Sequence, residues 1–420
     1  MHSKILTKNV SAAGQEHISG YESRGGYQST RKAMKMSAQE IISEVSTSGL
    51  RGRGGSGFPT GKKWGLVHKI ENAPTYLVIN AGESEPGTFK DRLLLEGDPH
   101  LCLEGIIIAA RALNVRLAVV YIRGEYAYAA SNVQKAIKQA YEKGYLGEGI
   151  FGTNHHLDII LHRGAGSYVC GEETALMESI EGKKGFPRLI PPHLTESGLY
   201  GCPTVVHNVE TIANLPWIIE HGGSEFAKIG TMLSTGTKLF SVSGSINRPG
   251  VYEVDMGYPI LDFINYECGG IIGGGKLKAI IPGGITTPVL CPSELSYVKL
   301  DYESLKNIGS MLGSGGMIVL DGMVDMAEVC VNLLHFYVAE SCGQCTPCRT
   351  GGRWLEKVCR RVCSGTGTRK DLELLKSVSR HIAGQTICPF GDAMVVPILS
   401  CMEKFRAEFE KKIFITKRAW

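Results

Sequence analysis

The chain has 420 residues, a formal net charge of +4, 43% apolar and 20% charged residues, and thirteen cysteines. So small a positive balance disfavours a nucleic-acid partner, and an odd number of irregularly spaced cysteines disfavours a secreted disulfide scaffold. No apolar run reaches the roughly 18 residues of a membrane span; the best candidate, 101–122, is interrupted by Glu104, Arg111, Asn114 and Arg116.

Residues 1–36 are polar and rich in Gly and Ser and read as an arm or a loosely packed lead-in. Their Lys and Arg are accompanied by Glu16 and Glu22, a weak match to a mitochondrial presequence. Ser37 and Glu40 then have the spacing of a capping box, and Ile41, Ile42 and Val45 supply one apolar stripe of a helix.

The stretch SGLRGRGGSGFPTGKKW follows at 48–64. Gly52, Gly54 and Gly57 fit GxGxxG, but a helix rather than a strand precedes them, so the Rossmann fingerprint is incomplete. A Walker A loop fails as well, because Ser56 stands at its first glycine and Lys63 at its Ser/Thr. Small residues still let backbone N–H groups approach an anion, and Arg51, Arg53, Lys62 and Lys63 add positive charge. Phosphate contact and a merely flexible loop both remain open.

A buried strand is predicted over 75–80, ending in a polar loop through Asn80, Glu83, Ser84 and Glu85 to Lys90-Asp91-Arg92. Open α/β sheets bind ligands at such strand ends; a solvated turn is the plainer reading. A helix over 100–112, a strand over 117–122, a helix over 131–143 and a strand over 157–161 continue the alternation of a largely parallel sheet. The last strand runs into a second glycine turn (Gly164, Gly166, Gly171) and a helix opening on Glu172 and Glu173. Those carboxylates suit either a ligand's ribose or base edges or the helix N-terminus itself. Residues 187–211 read as one long irregular segment, of the kind that forms lids, before a helix over 212–221.

From Lys238 the pattern alternates, turns at Asn247-Arg248-Pro249-Gly250 and alternates again, as a hairpin does. A helix over 259–267 and strands over 277–281 and 317–320 complete a small β-grasp-like unit. Four helix-length segments follow (325–340, 354–362, 370–382 and 392–412), which imply a bundle. Cys342, Cys345 and Cys348 fall between the first two, and Cys388 falls between the last two. An antiparallel bundle brings those two connections to one end. A compact CxxCxxC loop with one remote cysteine fits an iron–sulfur cube; zinc and plain buried thiols are the alternatives. Cys359 and Cys363, one helical turn apart, lack nearby partners in the sequence.

Together, SGLRGRGGSGFPTGKKW, ESEPGTFKDR (83–92), RGAGSYVCGEETAL (163–176), ESCGQCTPCR (340–349) and TICPFGDA (386–393) resemble the F-type, NADH-binding flavoprotein subunit of respiratory complex I. The likeness runs from about residue 26 to the C-terminus. It implies an α/β fold: a Rossmann-like FMN/NADH domain (37–237) after an arm (1–36), a β-grasp-like domain (238–322), and a C-terminal four-helix bundle (323–420) carrying a [4Fe–4S] site. By resemblance, FMN lies across Gly52, Arg53, Gly54, Lys63, Asn80, Glu83 and Ser84, with Gly171, Glu172, Glu173 and Asn208 opposite. NADH lies near Phe58 and Glu85, and Cys342, Cys345, Cys348 and Cys388 hold the cluster. The implied activity is hydride transfer from NADH to FMN, then single electrons to the cluster.

The implied partners are other peripheral-arm subunits, including a thioredoxin-like [2Fe–2S] subunit. The implied location is the cytoplasmic face of the bacterial inner membrane, or the matrix side in mitochondria. Gly82, Leu66, Ile190 and His193 stand where the family carries an acidic residue, Phe, Lys and Phe. A diverged relative with weakened NADH binding is therefore a second reading. A diaphorase subunit of an NAD-linked hydrogenase or formate dehydrogenase is a third, disfavoured because no cysteine-rich ferredoxin-like end is visible.

Overall fold

The computed structural model describes residues 3–68, 70 and 73–415, so the extreme ends of the expected arm and bundle lie outside the described residues. Four parallel strands form the first sheet: β1 (Tyr76–Ala81), β2 (Leu117–Ile122), β3 (Asp158–Arg163) and β4 (Thr204–Asn208), in the order β3-β2-β1-β4. The runs LVI of β1 and AVVYI of β2 are buried without alternation, as strands covered on both faces should be. Helices Pro99–Leu113 and Ala127–Glu142 pack on this sheet in one large core. Asp98 caps the first through Leu101 N–H, and Pro99 occupies its first position, where no N–H is needed.

β4 corrects the expectation of an irregular segment over 187–211. It is only five residues long and follows a proline, so its Val205-Val206 pair gives too short a pattern to stand out. Its pairing with β1, Tyr76 opposite Thr204 through Asn80 opposite Asn208, comes from tertiary contact.

The second sheet is mixed, in the order β6-β5-β8-β7, from β5 (Thr237–Gly244), β6 (Gly250–Asp255), β7 (Leu277–Ile281) and β8 (Gly316–Asp321). The β5–β6 hairpin is antiparallel, and β5 lies parallel to β8. Phe240, Val242, Phe263, Ile264 and Val319 fill its core.

The bundle comprises helices Met326–Glu340, Gly352–Cys363, Arg369–Ile382, Phe390–Lys404 and Arg406–Ile415. The last expected helix is thus two, parted at Phe405, whose φ of −118° and ψ of 26° are not helical. The cysteine loops lie before the Gly352–Cys363 and Phe390–Lys404 helices.

The N-terminal arm is not loosely packed. Leu6 and Tyr27 are buried. The Glu253 carboxylate on β6 accepts backbone N–H groups from Ile5 (2.9 Å), Leu6 (3.0 Å) and Thr7 (2.9 Å). The buried Glu104 accepts the N–H groups of Tyr27 (2.9 Å) and Thr30 (3.0 Å) and the hydroxyls of Tyr21 and Ser29. The arm therefore ties the first unit to the second.

Candidate functional site

The order β3-β2-β1-β4 reverses direction between β1 and β4, and ligands of open α/β sheets bind beyond the carboxyl ends of strands at such a reversal. Here the two strand ends are Asn80 and Asn208, in register with each other. Asn80 Nδ2 donates to Gly171 O (3.0 Å), and its Oδ1 accepts from Gly82 N–H (3.1 Å). That ties the 82–87 loop to the 164–171 glycine turn.

The first glycine loop closes over the same end. Gly52 N–H donates to Phe58 O and Thr60 N–H to Leu50 O, both at 2.9 Å, so the loop is pinned at its neck. A Cβ on Gly54 would stand 3.0 Å from Asn208 Cβ. Gly57 has a φ of +64°, and its Cβ would clash with the Tyr302 ring at 2.5 Å. Both positions therefore exclude a side chain, and the backbone lies directly on Asn208 and Tyr302. Lys63 Nζ reaches Glu173 (2.8 Å) and Val206 O (3.0 Å). Gly54, Lys63, Asn80, Gly171, Glu173 and Asn208 thus gather at the carboxyl ends of β1 and β4, with Ser84 Oγ 3.5 Å from Tyr168 O beside them.

Three expected contacts are otherwise engaged. The Arg53 guanidinium is fully buried and donates through Nη2 to Thr235 O (2.6 Å), while its Nε and Nη1 have no partner among the described residues. The Glu83 carboxylate caps the helix Lys90–Gly97, accepting from Lys90 (2.8 Å), Asp91 (2.9 Å) and Arg92 (3.2 Å) N–H groups. Burial pushes its pKa up to about 7, reinforced by Asp91 and opposed by Lys90. Glu172 caps the helix Glu173–Ile180 through Thr174 (3.0 Å) and Ala175 (2.9 Å) N–H, the helix-start alternative for this residue. Arg51 is likewise a brace, held by Gly57 O and Glu303 and stacked 3.9 Å from the Tyr302 ring centroid.

Behind Asn208 lies a buried charge cluster that sequence reasoning did not single out. Lys90 Nζ is 2.7 Å from both Asp91 and Glu210, and Lys238 of β5 is 3.4 Å from Glu210. Lys90 Nζ also donates to Asn208 Oδ1 (3.3 Å), whose Nδ2 donates to Asp91 (2.5 Å). Asn208 is therefore oriented by two charged residues of the helix Lys90–Gly97. Its signals were the KDR at 90–92 and the NVET at 208–211.

On the outer rim, Phe58 is 38% exposed and Leu66 and Ile190 about half exposed. His68 N–H donates to Thr195 O (3.1 Å), which brings the segments holding Leu66 and His193 together. Glu85 is half-buried, accepting from Tyr168 Oη (2.6 Å) and Thr286 N–H (3.0 Å). Burial raises its pKa.

Cys342, Cys345, Cys348 and Cys388 line one small cavity with Gln344, Thr386, Phe390 and Gly391. Among the described residues no three Cys, His, Asp or Glu side chains converge on a single ion. Four thiols around a void suit instead a polynuclear cluster with one iron per thiolate, and the donor set fits it. The carboxyl ends of β1 and β4 are nearby: Cys342 packs against the core cluster that contains Val78, Val169, Cys170 and Val206, and Tyr168 lies 5.7 Å from Phe390, ring to ring. For the crevice, backbone exposed at three glycine turns, the Lys63 ammonium and the paired Asn80 and Asn208 amides fit a phosphate-bearing, amide-reading ligand such as FMN.

Residues 45–217 match the Nuo51 FMN-binding domain, 238–318 an SLBB domain, and 328–412 the NADH-ubiquinone oxidoreductase-F iron-sulfur binding region. The chain is 45% identical over 410 residues to the NADH-quinone oxidoreductase F subunit 2 of Rhizobium meliloti strain 1021, spanning 97% of each. It is 48% identical over 391 residues to the NADH-quinone oxidoreductase F subunit of Rickettsia typhi, spanning 93% of each. A crystal structure of an NAD+-reducing [NiFe]-hydrogenase in the H2-reduced state has a chain that superposes with a TM-score of 0.85 at 32% identity, over 98% of this chain and 67% of that one.

Proposed function

The chain belongs to the family of F-type NADH-quinone oxidoreductase subunits, and we propose that it is the electron-input subunit of such an enzyme, oxidising NADH at FMN and passing electrons to a [4Fe–4S] cluster. The observation that carries this is the adjacency of the two sites through the 168–172 turn. That turn frames the flavin crevice through Gly171 and touches the cluster cavity through Tyr168.

Bound FMN supplies a two-electron hydride acceptor that releases electrons singly. The chain supplies placement. Gly52, Gly54 and Lys63 hold the phosphate side, Asn80 and Asn208 fix the ring side, and Arg53, Glu83 and Glu172 shape the walls through their backbone. Phe58 and Glu85 border the dinucleotide, so two rings can meet at contact distance. Cys342, Cys345, Cys348 and Cys388 bind the cluster. The division into 1–36, 37–237, 238–322 and 323–420 places the flavin in the second segment and the iron in the fourth.

The partners are the other subunits of a multi-subunit enzyme, among them a thioredoxin-like [2Fe–2S] subunit. No helix among the described residues is long and apolar enough to cross a membrane; the proposed place is the cytoplasmic face of the bacterial inner membrane, or the matrix side in mitochondria, held there by partner subunits. The long match to a quinone-linked relative, at 97% of its length, against 67% of the hydrogenase chain, favours the quinone-linked enzyme over a hydrogenase diaphorase.

The test is a visible spectrum of anaerobic protein reconstituted with FMN, iron and sulfide. Flavin bands should appear, and NADH should bleach them and the cluster. Absence of flavin absorbance after reconstitution overturns the proposal. Bound flavin that NADH fails to bleach supports the diverged reading, which the half-exposed Leu66 and Ile190 at the rim favour.

A further inference from the structure

The first glycine loop is held from behind by the second unit, where two buried side chains engage two of its carbonyls. Tyr302 Oη, at the start of the helix Tyr302–Asn307, donates to Gly52 O (2.8 Å). Lys238 Nζ, on β5, donates to Arg53 O (3.3 Å) and to Ser314 O (3.0 Å). Both side chains are buried, that of Lys238 completely. Two further ties flank them. Thr235 Oγ1 donates to Ser48 O (2.8 Å), and the Arg51 guanidinium pairs with Glu303 while it lies over the Tyr302 ring.

These contacts set the direction of the peptide groups that follow. A trans peptide unit is planar, so its C=O and the next N–H point in opposite directions. With Gly52 O turned to Tyr302, the Arg53 N–H points the other way and meets Thr211 Oγ1 (2.8 Å), just past β4. With Arg53 O turned to Lys238, the Gly54 N–H likewise points away from Lys238, and Gly54 itself lies against Asn208 at the end of β4. Among the described residues the N–H groups of Gly54, Gly55, Ser56 and Gly57 donate to no acceptor. Gly54 and Ser56 are exposed and Gly55 is half-buried. Successive free N–H groups in a turn make an anion-binding concavity. A carbonyl released from its donor is free to rotate into that concavity, where it repels a phosphate.

We propose that Tyr302 and Lys238 are positioning residues for nucleotide binding: from the second unit they hold the Gly52 and Arg53 carbonyls aside, so that the N–H groups of residues 54–57 receive a ligand's phosphate. This rests on the reading of the site as one for flavin and dinucleotide, and it gives the second unit a part in that site. The monophosphate of FMN and the pyrophosphate of NADH offer the loop the same chemistry. Tyr302 and Lys238 act through the loop rather than on the ligand, so affinity for the phosphate is the quantity they control.

The test is ligand titration of the full, cluster-loaded chain. Tyr302→Phe removes one oxygen and keeps the ring against Gly57 and Arg51. On flavin-free protein, fluorescence quenching gives the Kd of FMN and that of riboflavin, which lacks the phosphate. On FMN-loaded protein, calorimetry gives the Kd of ADP-ribose, which carries the dinucleotide's pyrophosphate. Loss of the hydrogen bond should weaken FMN about three- to tenfold and leave riboflavin unchanged. The same loss for ADP-ribose, with both flavins unchanged, also supports the proposal and assigns the loop to the dinucleotide. Lys238→Met should show the same selectivity. Tyr252→Phe, whose hydroxyl meets Arg248 O elsewhere in the second unit, should change none of the three. Equal weakening of FMN and riboflavin in Tyr302→Phe, or no weakening of FMN or ADP-ribose, makes Tyr302 and Lys238 a staple between units and overturns the proposal. That variant decides the matter even if Lys238→Met fails to fold. An unsubstituted chain that binds neither FMN nor ADP-ribose overturns the flavin-subunit reading, and this inference with it.

Discussion

Lys90 and Glu210 form an ion pair of 2.7 Å, Nζ to Oε2, with side-chain exposures of 1% and 0%. Glu210 also faces Lys238, so one carboxylate compensates two buried ammonium groups, one on the helix Lys90–Gly97 and one on β5. Removing one partner of a buried pair strands the other charge and costs about 3–5 kcal/mol. Glu210→Ala should therefore lower unfolding stability by about that amount, read from denaturant midpoints, and Glu210→Gln should lose less. A loss below about 1 kcal/mol, the size of an exposed pair, counts against this account.

Asp98 predicts a pH effect remote from the flavin. Burial pushes its pKa up from 3.8 to about 7, so between those values the folded chain keeps a proton that the unfolded chain releases. Stability from this group is present at low pH and declines as pH rises from about 4 to 7. His100, held down to about 4 by burial, acts in the opposite sense between about 4 and its ordinary 6.5. The effect is therefore read as a difference. Thermal midpoints of Asp98→Asn should gain on those of the unsubstituted chain as pH rises from 4 to 7, and a constant difference sinks the prediction.

Cys388→Ala should strip most of the iron while FMN remains bound, because Cys388 is the only cavity thiol from the distant loop. Cys401→Ala, in the bundle core, should keep both. Iron analysis and flavin fluorescence on the two variants separate a cluster ligand from a buried thiol. Equal iron in both variants removes Cys388 from the ligand set.

The rim predicts a gain of function. Ile190→Lys with His193→Phe supplies a cation and an aromatic face where the chain has an isoleucine and a histidine. An aromatic contact contributes about 0.5–1.5 kcal/mol, so the pair should lower KM for NADH by roughly tenfold, with an artificial electron acceptor in the assay. An unchanged KM places these two residues outside the dinucleotide pocket.

The strongly patterned elements were legible in the sequence. β2 and β7 have the expected bounds, Leu117–Ile122 and Leu277–Ile281, and Ser37 caps its helix with Glu40 as the spacing required. β4 was not legible, because five residues after a proline carry almost no periodicity and their pairing with β1 is tertiary. Within the site, the glycine turns announced where backbone approaches a ligand but not which side chains turn inward. Arg53 follows Thr235 O, a partner 182 residues away, and Glu83 turns to the helix start at Lys90. A charged residue in a glycine loop looks the same in sequence whether it meets a phosphate or a buried carbonyl. That four cysteines would meet was readable because CxxCxxC is a local pattern and the alternation of helices and loops brings the remote thiol to it.

The clasp of Glu253 on residues 5–7 has a consequence for synthesis. The backbone groups of Leu6 find their acceptor 247 residues further along the chain. On the ribosome residues 5–7 must wait for β6 to be translated and paired before they settle. Through that interval Leu6 lacks the carboxylate that later holds its backbone, and the nascent chain carries an undocked segment. Contacts of such sequence separation form slowly and leave partly folded chains open to association. Glu253→Gln should therefore reduce the yield of soluble protein from cells more than it alters the equilibrium stability of the protein that does fold.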